Sequence, residues 1–339
     1  MVLPEPRPIR EVEGIDRARF DAEIRPARQP VVMRGLGRDW PAVQAGRASA
    51  EDAVAYLRRF SHPEPVNAIV GPPEIKGHFF YTEDLKALNF QRGLSPLGPF
   101  LDRLLRDQDK AEPYAMAVQS LPVRELLPGF AEENRIDLVD ADIAPRIWIG
   151  NRIRVATHYD LMENVGVVVT GRRRFTLFPP EQIANLYAGP FELTPAGTPV
   201  SLVDPANPDL ERFPRFAEAA RHAQSALLEP GDAIYLPFHW WHGVDSLDAV
   251  NAFVNYWWNS APAYLGSAYD AMLVALVSLR GLPEDQRDVW RMLFDHFIFQ
   301  PNGDPVAHLP PDVRGMLGSI TPAEVEAMKM ALSQKWARK

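Results

Sequence analysis

The residues with the clearest chemical potential are the triplet His158-Tyr159-Asp160, considered together with the later His242. Side chains at positions i and i+2 of an extended strand point the same way, so His158 and Asp160 would place an imidazole and a carboxylate in one space. A third ligand from a distant strand would complete a two-histidine, one-carboxylate face. Such a face leaves coordination positions open on Fe(II) for a co-substrate and dioxygen.

His239 competes with His242 as the third ligand, because it lies only three residues earlier. On a regular strand an odd separation puts two side chains on opposite faces, so only one of the two can join the site. We favour His242, because it leads into a strand continuation, whereas a preceding Pro-Phe pair places His239 in a turn. The alternative role for His242 is an interfacial histidine packed under Trp240 or Trp241.

Two amides are expected to face the same cavity as these ligands. Asn164 has the parity of His158 and Asp160, and Asn255 lies in the middle of an apolar strand pattern that ends at Trp257. A buried amide needs hydrogen-bond partners. A ligand in a barrel mouth is one source of such partners, and an internal backbone group or a trapped water is the other.

Arg173 is the best candidate for holding an anionic co-substrate. Its strand parity matches that of Phe175 and Leu177, which should bring it inside. The planar guanidinium fork suits bidentate binding of a carboxylate. The alternative is a solvated basic strand end, since Arg172 to Arg174 are consecutive.

Composition narrows the chemistry further. The absence of cysteine leaves only histidine and carboxylate side chains as metal ligands. A net charge of −8, from 36 Lys and Arg against 44 Asp and Glu, does not favour a nucleic-acid partner. We also expect a cytoplasmic location without membrane insertion, because no apolar run reaches spanning length and Met1 to Arg10 lack a secretion-signal core.

The elements that must position these residues fall into three segments. Residues 1–139 read as an N-terminal α/β extension, and residues 140–260 as short strands separated by turn residues, which is typical of a sandwich or barrel. Residues 261–339 keep helical apolar stripes, which would suit either packing on the barrel or pairing of two subunits. A proline-rich insertion, Tyr187 to Phe216, interrupts the central segment.

Several motifs of the central segment, in the order in which they occur, resemble those of the JmjC-type cupin oxygenases. The nearest resemblance is to the asparaginyl hydroxylase of hypoxia-inducible factor. The motifs are His158-Tyr159-Asp160, Asn164, Gly171-Arg172-Arg173, Leu177-Phe178-Pro179-Pro180, Glu229-Pro230-Gly231-Asp232, Pro237 to His242 and Asn255-Tyr256-Trp257. The resemblance implies a mainly β fold, a double-stranded β-helix or jelly roll, with N-terminal α/β elements and C-terminal helices. It also implies dependence on Fe(II) and 2-oxoglutarate.

Carried over by position, the resemblance implies iron ligands and co-substrate contacts. The implied iron ligands are His158, Asp160 and His242, and the implied 2-oxoglutarate contacts are Asn164, Arg173 and Asn255, with Thr157 close to a threonine position of the family. Arg173 departs from the lysine usual in the hydroxylase, so its fork would hold the distal carboxylate differently. The C-terminal helices of this family often pair two subunits, which implies a homodimer.

The implied reaction uses dioxygen and 2-oxoglutarate, releases succinate and CO2, and hydroxylates a side chain of a protein or peptide. The same chemistry on a small metabolite, a free amino acid or a modified tRNA base is the first alternative. A cupin that binds metal without catalysis is the second. Titrations with metal and with 2-oxoglutarate separate the enzyme from the non-catalytic module.

Overall fold

The structure is a computed structural model that describes residues 3–337 of the chain. It divides into a unit that ends at Trp258 and a unit that begins at Asn259. We call them the barrel unit and the helical unit. Strands contributed by residues before 139 hydrogen-bond directly with strands of the central segment, so the N-terminal residues and the core form one unit.

The strands and helices of the described residues are numbered in chain order. The strands are β1 Arg7–Pro8, β2 Arg10–Glu13, β3 Val31–Arg34, β4 Val66–Gly71, β5 His78–Phe79, β6 Gln91–Ser95, β7 Ala115–Pro122, β8 Pro145–Gly150, β9 Arg154–Tyr159, β10 Glu163–Thr170, β11 Arg173–Phe178, β12 Gln224–Leu228, β13 Ala233–Leu236, β14 Trp241–Ser246 and β15 Asn251–Trp258. The α-helices are α1 Arg17–Arg19, α2 Arg25–Ala27, α3 Pro41–Ala48, α4 Ala50–Arg58, α5 Leu97–Arg106, α6 Val123–Leu126, α7 Phe130–Glu133, α8 Phe216–Arg221, α9 Ala268–Leu279, α10 Glu284–Phe294 and α11 Pro322–Ala337.

Two mixed sheets form the barrel unit. One has six strands in the order β1-β12-β11-β14-β9-β5, and the other has nine in the order β2-β3-β13-β10-β15-β8-β7-β4-β6. Strands distant in sequence are neighbours in both sheets, as in a jelly roll, and this confirms the predicted fold class. The six-stranded sheet carries His158 on β9 and His242 on β14, and the nine-stranded sheet carries Asn164 and Asn255 on β10 and β15.

The space between the sheets is filled from both sides. Phe175 and Leu177 of β11 pack there with Val168 and Phe253 of the nine-stranded sheet. On β11 buried residues alternate with more exposed ones, since Arg173 is buried and Arg174 is exposed. The predicted inward parity of Arg173 is therefore confirmed.

The other face of the nine-stranded sheet packs against helices. Val165, Val167 and Val169 of β10 join a cluster with residues of α3, α4 and α5. Because the intervening side chains of β10 point between the sheets, this strand is buried on both faces, as its continuous apolar run predicts.

The outer face of the six-stranded sheet is covered by the insertion and α8. Phe178 and Trp241 of the sheet pack there with Phe213 and Phe216. A cavity of about 570 Å³ remains beneath this cover, and we call it the outer cavity. The proline-rich insertion thus lies behind the strands that carry the metal-ligand candidates.

The helical unit buries little of its apolar surface. None of the residues of α9 or α10 is buried, and Val277, Met292 and Phe299 are exposed by 75%, 62% and 70%. Its last helix begins with a capping box, since the Glu324 amide donates to Thr321 Oγ1 at 3.3 Å and the Thr321 amide donates to Glu324 Oε2 at 2.9 Å. Among residues 3–337 no helix combines the length and apolarity needed to cross a membrane.

Candidate metal centre

His158, Asp160 and His242 lie together between the two sheets, with one ligand atom of each within 4.8 Å of the others. His158 and His242 are direct cross-strand partners on β9 and β14, and their ring centroids are 4.3 Å apart. His242 Nε2 lies 3.7 Å from Asp160 Oδ2. A register shift between His242 and Val244 follows immediately after the pair.

Each histidine is held by the backbone carbonyl of the residue two positions earlier in the sequence. The His158 Nδ1 atom lies 2.9 Å from the Ala156 carbonyl oxygen, and the His242 Nδ1 atom lies 3.0 Å from the Trp240 carbonyl oxygen. A carbonyl accepts only, so each Nδ1 carries the proton and each Nε2 presents a lone pair.

The protonation state of His158 also favours metal binding. Burial, together with the neighbouring His242, lowers the pKa of His158 to about 4, so its imidazole is neutral at physiological pH. Two imidazoles and one carboxylate are the donor set typical of non-haem iron(II) sites, and the three residues therefore fit iron(II).

Asp160 is oriented by two hydrogen bonds to the same oxygen. Asn164 Nδ2 donates to Asp160 Oδ2 at 3.1 Å, and Trp257 Nε1 donates to it at 3.0 Å. Tethering of a metal ligand by further hydrogen bonds is usual in metal sites.

The amides of Asn164 and Asn255 are partnered by other side chains. Asn255 Nδ2 donates to Asn164 Oδ1 at 3.2 Å, and Trp148 Nε1 donates to Asn255 Oδ1 at 2.9 Å. Both amides lie beside the metal-ligand group, because Asn255 bonds to Asn164 and Asn164 bonds to Asp160. Neither a backbone group nor a ligand supplies these particular bonds, and the Trp148 and Trp257 indoles were missed by sequence reasoning.

Arg173 is 6% exposed and points into the same interior. Its guanidinium lies 5.1 Å from the centre of the Phe253 ring, its Nε has no hydrogen-bond partner, and no carboxylate among residues 3–337 forms an ion pair with it. Burial lowers its pKa to about 9, which still leaves it charged at neutral pH. A buried, unpaired cation is costly unless a ligand supplies the anion.

Ser246 lies beside Arg173, and sequence reasoning missed it. It pairs directly with Arg173 across β14 and β11, it is 5% exposed, and its hydroxyl has no partner. Directly opposite residues project from the same face. The signal that could have found it is parity, because Ser246 lies four residues after His242 on one strand.

Two other residues lie elsewhere. Thr157 borders the outer cavity, with its Oγ1 2.9 Å from where a Cβ on Gly243 would lie, so the structure does not bring it to the metal group. His239 lies in the turn before β14 with φ 61°, stacked on Phe238 at 4.1 Å. Of the two competing histidines, the structure brings His242 to the group.

A jelly roll with a two-histidine, one-carboxylate group between its sheets defines a cupin-type metal protein. Sequence comparison agrees with this class: the Cupin-like domain family matches residues 17–264, and the chain belongs to that family. The family match supports the resemblance at the level of the cupin and JmjC class. The nearer resemblance to an asparaginyl hydroxylase stays a prediction.

Curated relatives differ in how much of the chain they match. The tRNA wybutosine-synthesizing protein 5 of Gallus gallus is 26% identical over 312 residues, which is 82% of this chain and 90% of that protein. The HSPB1-associated protein 1 of Homo sapiens is 36% identical over 148 residues, 42% of this chain and 29% of that protein. The lysine-specific demethylase JMJ31 of Arabidopsis thaliana is 36% identical over 36% of this chain and 23% of that protein.

Proposed function

We propose that this protein is an iron(II)- and 2-oxoglutarate-dependent oxygenase that hydroxylates its substrate. One observation carries the proposal: a metal-ligand group and an unpaired cation occupy the two ends of one interior. Strand β15 connects them, because Phe253 lies under Arg173 and Trp257 bonds to Asp160, four residues and about 13 Å further along.

In this proposal one end binds the metal and the other end binds the co-substrate. His158, Asp160 and His242 would hold iron(II), and Arg173 with Ser246 would bind the distal carboxylate of 2-oxoglutarate by charge-assisted hydrogen bonds. Asn164 and Asn255 would border the co-substrate between the two ends. With both groups bound, the metal supplies the oxidation of a C–H bond by dioxygen, with succinate and CO2 as co-products. Burial of the interior excludes water.

For the substrate, we propose a modified tRNA base as the first class to test. A relative that matches 82% of this chain and 90% of its own length is named for the synthesis of wybutosine in tRNA. The expectation against nucleic acid, which rests on a net charge of −8, is weaker than a match of this extent. A charge of this sign predicts that any RNA affinity depends on local arginines and falls with salt.

The second class is the side chain of a protein or peptide, which the sequence motifs favour. The match to a lysine-specific demethylase supports it, although that match spans 36% of this chain.

Turnover tests the reaction and the substrate together. Purified protein with Fe(II) and labelled 2-oxoglutarate should release succinate, and the true substrate class should increase that release and gain one oxygen atom by mass spectrometry. Unmodified and wybutosine-type tRNA are compared with lysine- and asparagine-containing peptides. Metal binding without 2-oxoglutarate binding would contradict the oxygenase and favour a non-catalytic metal-binding module.

Pairing of two copies through the helical unit stays a proposal. The exposed apolar side chains of α9 and α10 support it, because a monomer rarely leaves so many in one small unit. Sedimentation of the full chain should give the mass of a dimer. Substituting Val277 and Met292 with Asp should give the mass of a monomer.

A further inference from the structure

A continuous chain of side-chain hydrogen bonds ends on the metal-ligand candidate Asp160. Trp148 Nε1 donates to Asn255 Oδ1 at 2.9 Å, Asn255 Nδ2 donates to Asn164 Oδ1 at 3.2 Å, and Asn164 Nδ2 donates to Asp160 Oδ2 at 3.1 Å. From the other side, Trp257 Nε1 donates to the same Oδ2 at 3.0 Å. Both routes to Asp160 therefore start from an indole N–H.

The direction of every bond in the chain is fixed by chemistry. An indole N–H can only donate, and an ionised carboxylate can only accept. Trp148 therefore makes Asn255 Oδ1 an acceptor, which turns the Asn255 amide nitrogen towards Asn164. The same reasoning makes Asn164 donate to Asp160. Neither amide can rotate by 180° without breaking two bonds.

The surroundings make the chain rigid. Asn164 and Asn255 are 4% and 1% exposed, so their bonds are shielded from water. The rings of Trp148 and Trp257 meet edge to face, with centroids 5.8 Å apart. Each indole is therefore held by packing as well as by its hydrogen bond.

We propose that Trp257 and Trp148 are positioning residues for the metal. Trp257 acts directly on Asp160, and Trp148 acts through the two amides, so that the carboxylate faces the histidines before any metal arrives. The inference rests on the proposed metal site. It goes further by assigning a role in metal affinity to two tryptophans that are not themselves metal-ligand candidates.

Replacing Trp257 with Phe tests the proposal, because Phe keeps an aromatic ring and removes the N–H. The probe is Co(II), titrated into the metal-free full-length protein and followed by its visible absorption. We expect about 10-fold weaker Co(II) binding and an altered absorption spectrum, since second-layer partners of metal ligands typically change affinity by 10- to 100-fold. Trp148→Phe should weaken Co(II) binding in the same direction by a smaller factor.

The matched control is Trp258→Phe. Trp258 is the next residue on β15, and its ring stacks on Tyr235 with centroids 6.4 Å apart. It should leave Co(II) affinity and spectrum unchanged. Melting of each metal-free variant separates the proposed role from a folding defect, and Trp148→Phe remains informative if Trp257→Phe does not fold.

The outcomes are distinct. Wild-type affinity and an unchanged spectrum in both Trp257→Phe and Trp148→Phe would overturn the positioning role while leaving the metal site intact. An equal loss in Trp258→Phe would overturn it too, because general packing would then explain the effect. If the wild-type protein binds no Co(II), the proposed function itself fails.

Discussion

Asp160 and Arg173 lie at opposite ends of the space between the two sheets. The charge of Asp160 is satisfied by hydrogen bonds within the protein, whereas that of Arg173 is not. The Asp160 carboxylate accepts hydrogen bonds from Asn164 and Trp257. The Arg173 guanidinium is buried over Phe253, and no carboxylate of residues 3–337 pairs with it. The acidic end is therefore complete within the protein, whereas the basic end requires an anion from outside.

This difference indicates an order of assembly. A pre-oriented ligand set can take a metal without rearrangement, because its hydrogen bonds are already made. An unpaired buried cation raises the free energy of the ligand-free state, and an arriving carboxylate relieves that penalty. Stability and co-substrate affinity should consequently oppose each other at Arg173.

The largest expected effect is at the acidic end. His158→Ala or Asp160→Ala should abolish metal-dependent succinate release and metal binding, because a two-ligand site cannot hold iron(II) under competition from water. Equilibrium dialysis against Fe(II) or Co(II) measures the binding. His239→Ala, the rival histidine of the preceding turn, should retain the metal. Stoichiometric metal binding by Asp160→Ala would contradict the assignment.

The basic end should respond with opposite signs in two assays. Arg173→Met should weaken 2-oxoglutarate binding by roughly 100-fold, the loss of about 3 kcal/mol from a charge-assisted contact. The same change should raise the free energy of unfolding of the ligand-free protein by about 1 to 3 kcal/mol, since an unpaired buried charge is removed.

Calorimetric titration and urea denaturation measure these two quantities. Arg174→Met, on the exposed side of the same strand, is the control and should change neither. A destabilised Arg173→Met protein would show that the guanidinium is satisfied within the fold.

A smaller effect is expected from the unpartnered hydroxyls. Ser246→Ala should weaken 2-oxoglutarate binding by about 10-fold, the value of one hydrogen bond to a charged group, with little change in stability. Thr157→Val removes a second buried, unpartnered hydroxyl on the other face of the sheet, and it should leave co-substrate affinity unchanged. Equal losses in the two titrations would place the co-substrate differently.

The smallest effect on stability is expected at an arginine that is ion-paired within the fold, in contrast to the unpaired Arg173. Arg34 pairs with Glu11 and Asp232, each at 2.5 Å. Its hydrogen bond lowers the pKa of Glu11 below the ordinary 4.5, so this pair stabilises the fold above that pH and less as the pH falls through the lowered value.

Glu11→Gln, which removes only the half-exposed member of this pairing, should therefore destabilise the protein at pH 7 by less than about 1 kcal/mol. The difference from wild type should shrink as the pH falls below 4.5. Denaturation curves at several pH values test this, and a constant difference would exclude the proposed pairing as its cause.

The sequence predicted the parts of the site that obey strand parity. His158, Asp160, Asn164, Arg173 and Asn255 all point inward as their spacing requires. It could not predict how these polar groups are satisfied, because Trp148 of β8 reaches Asn255 on β15, and Trp257 of β15 reaches Asp160, through contacts that only the packed sheets define. The same limit applies to Ser246, whose partner lies more than seventy residues away in the chain.

The resemblance implied a co-substrate contact near Thr157, which is close to a threonine position of the family. The structure places Thr157 at the outer cavity, because it is adjacent to the inward-pointing His158 on β9 and adjacent strand residues point to opposite faces. The substrate class could not be predicted from the sequence either. The proline-rich insertion packs on the outer face of the six-stranded sheet, and its residues form no recognisable binding motif.

The register shift after His242 gives metal binding a use as a folding reporter. His158 and His242 meet only in one alignment of β9 and β14, and a slip by one residue would put a glycine opposite His158. The register shift next to this pair interrupts the regular β9–β14 ladder, so a slipped alignment would not reproduce the same hydrogen bonds. Acquisition of metal during refolding should therefore time the moment at which these two strands reach their final alignment.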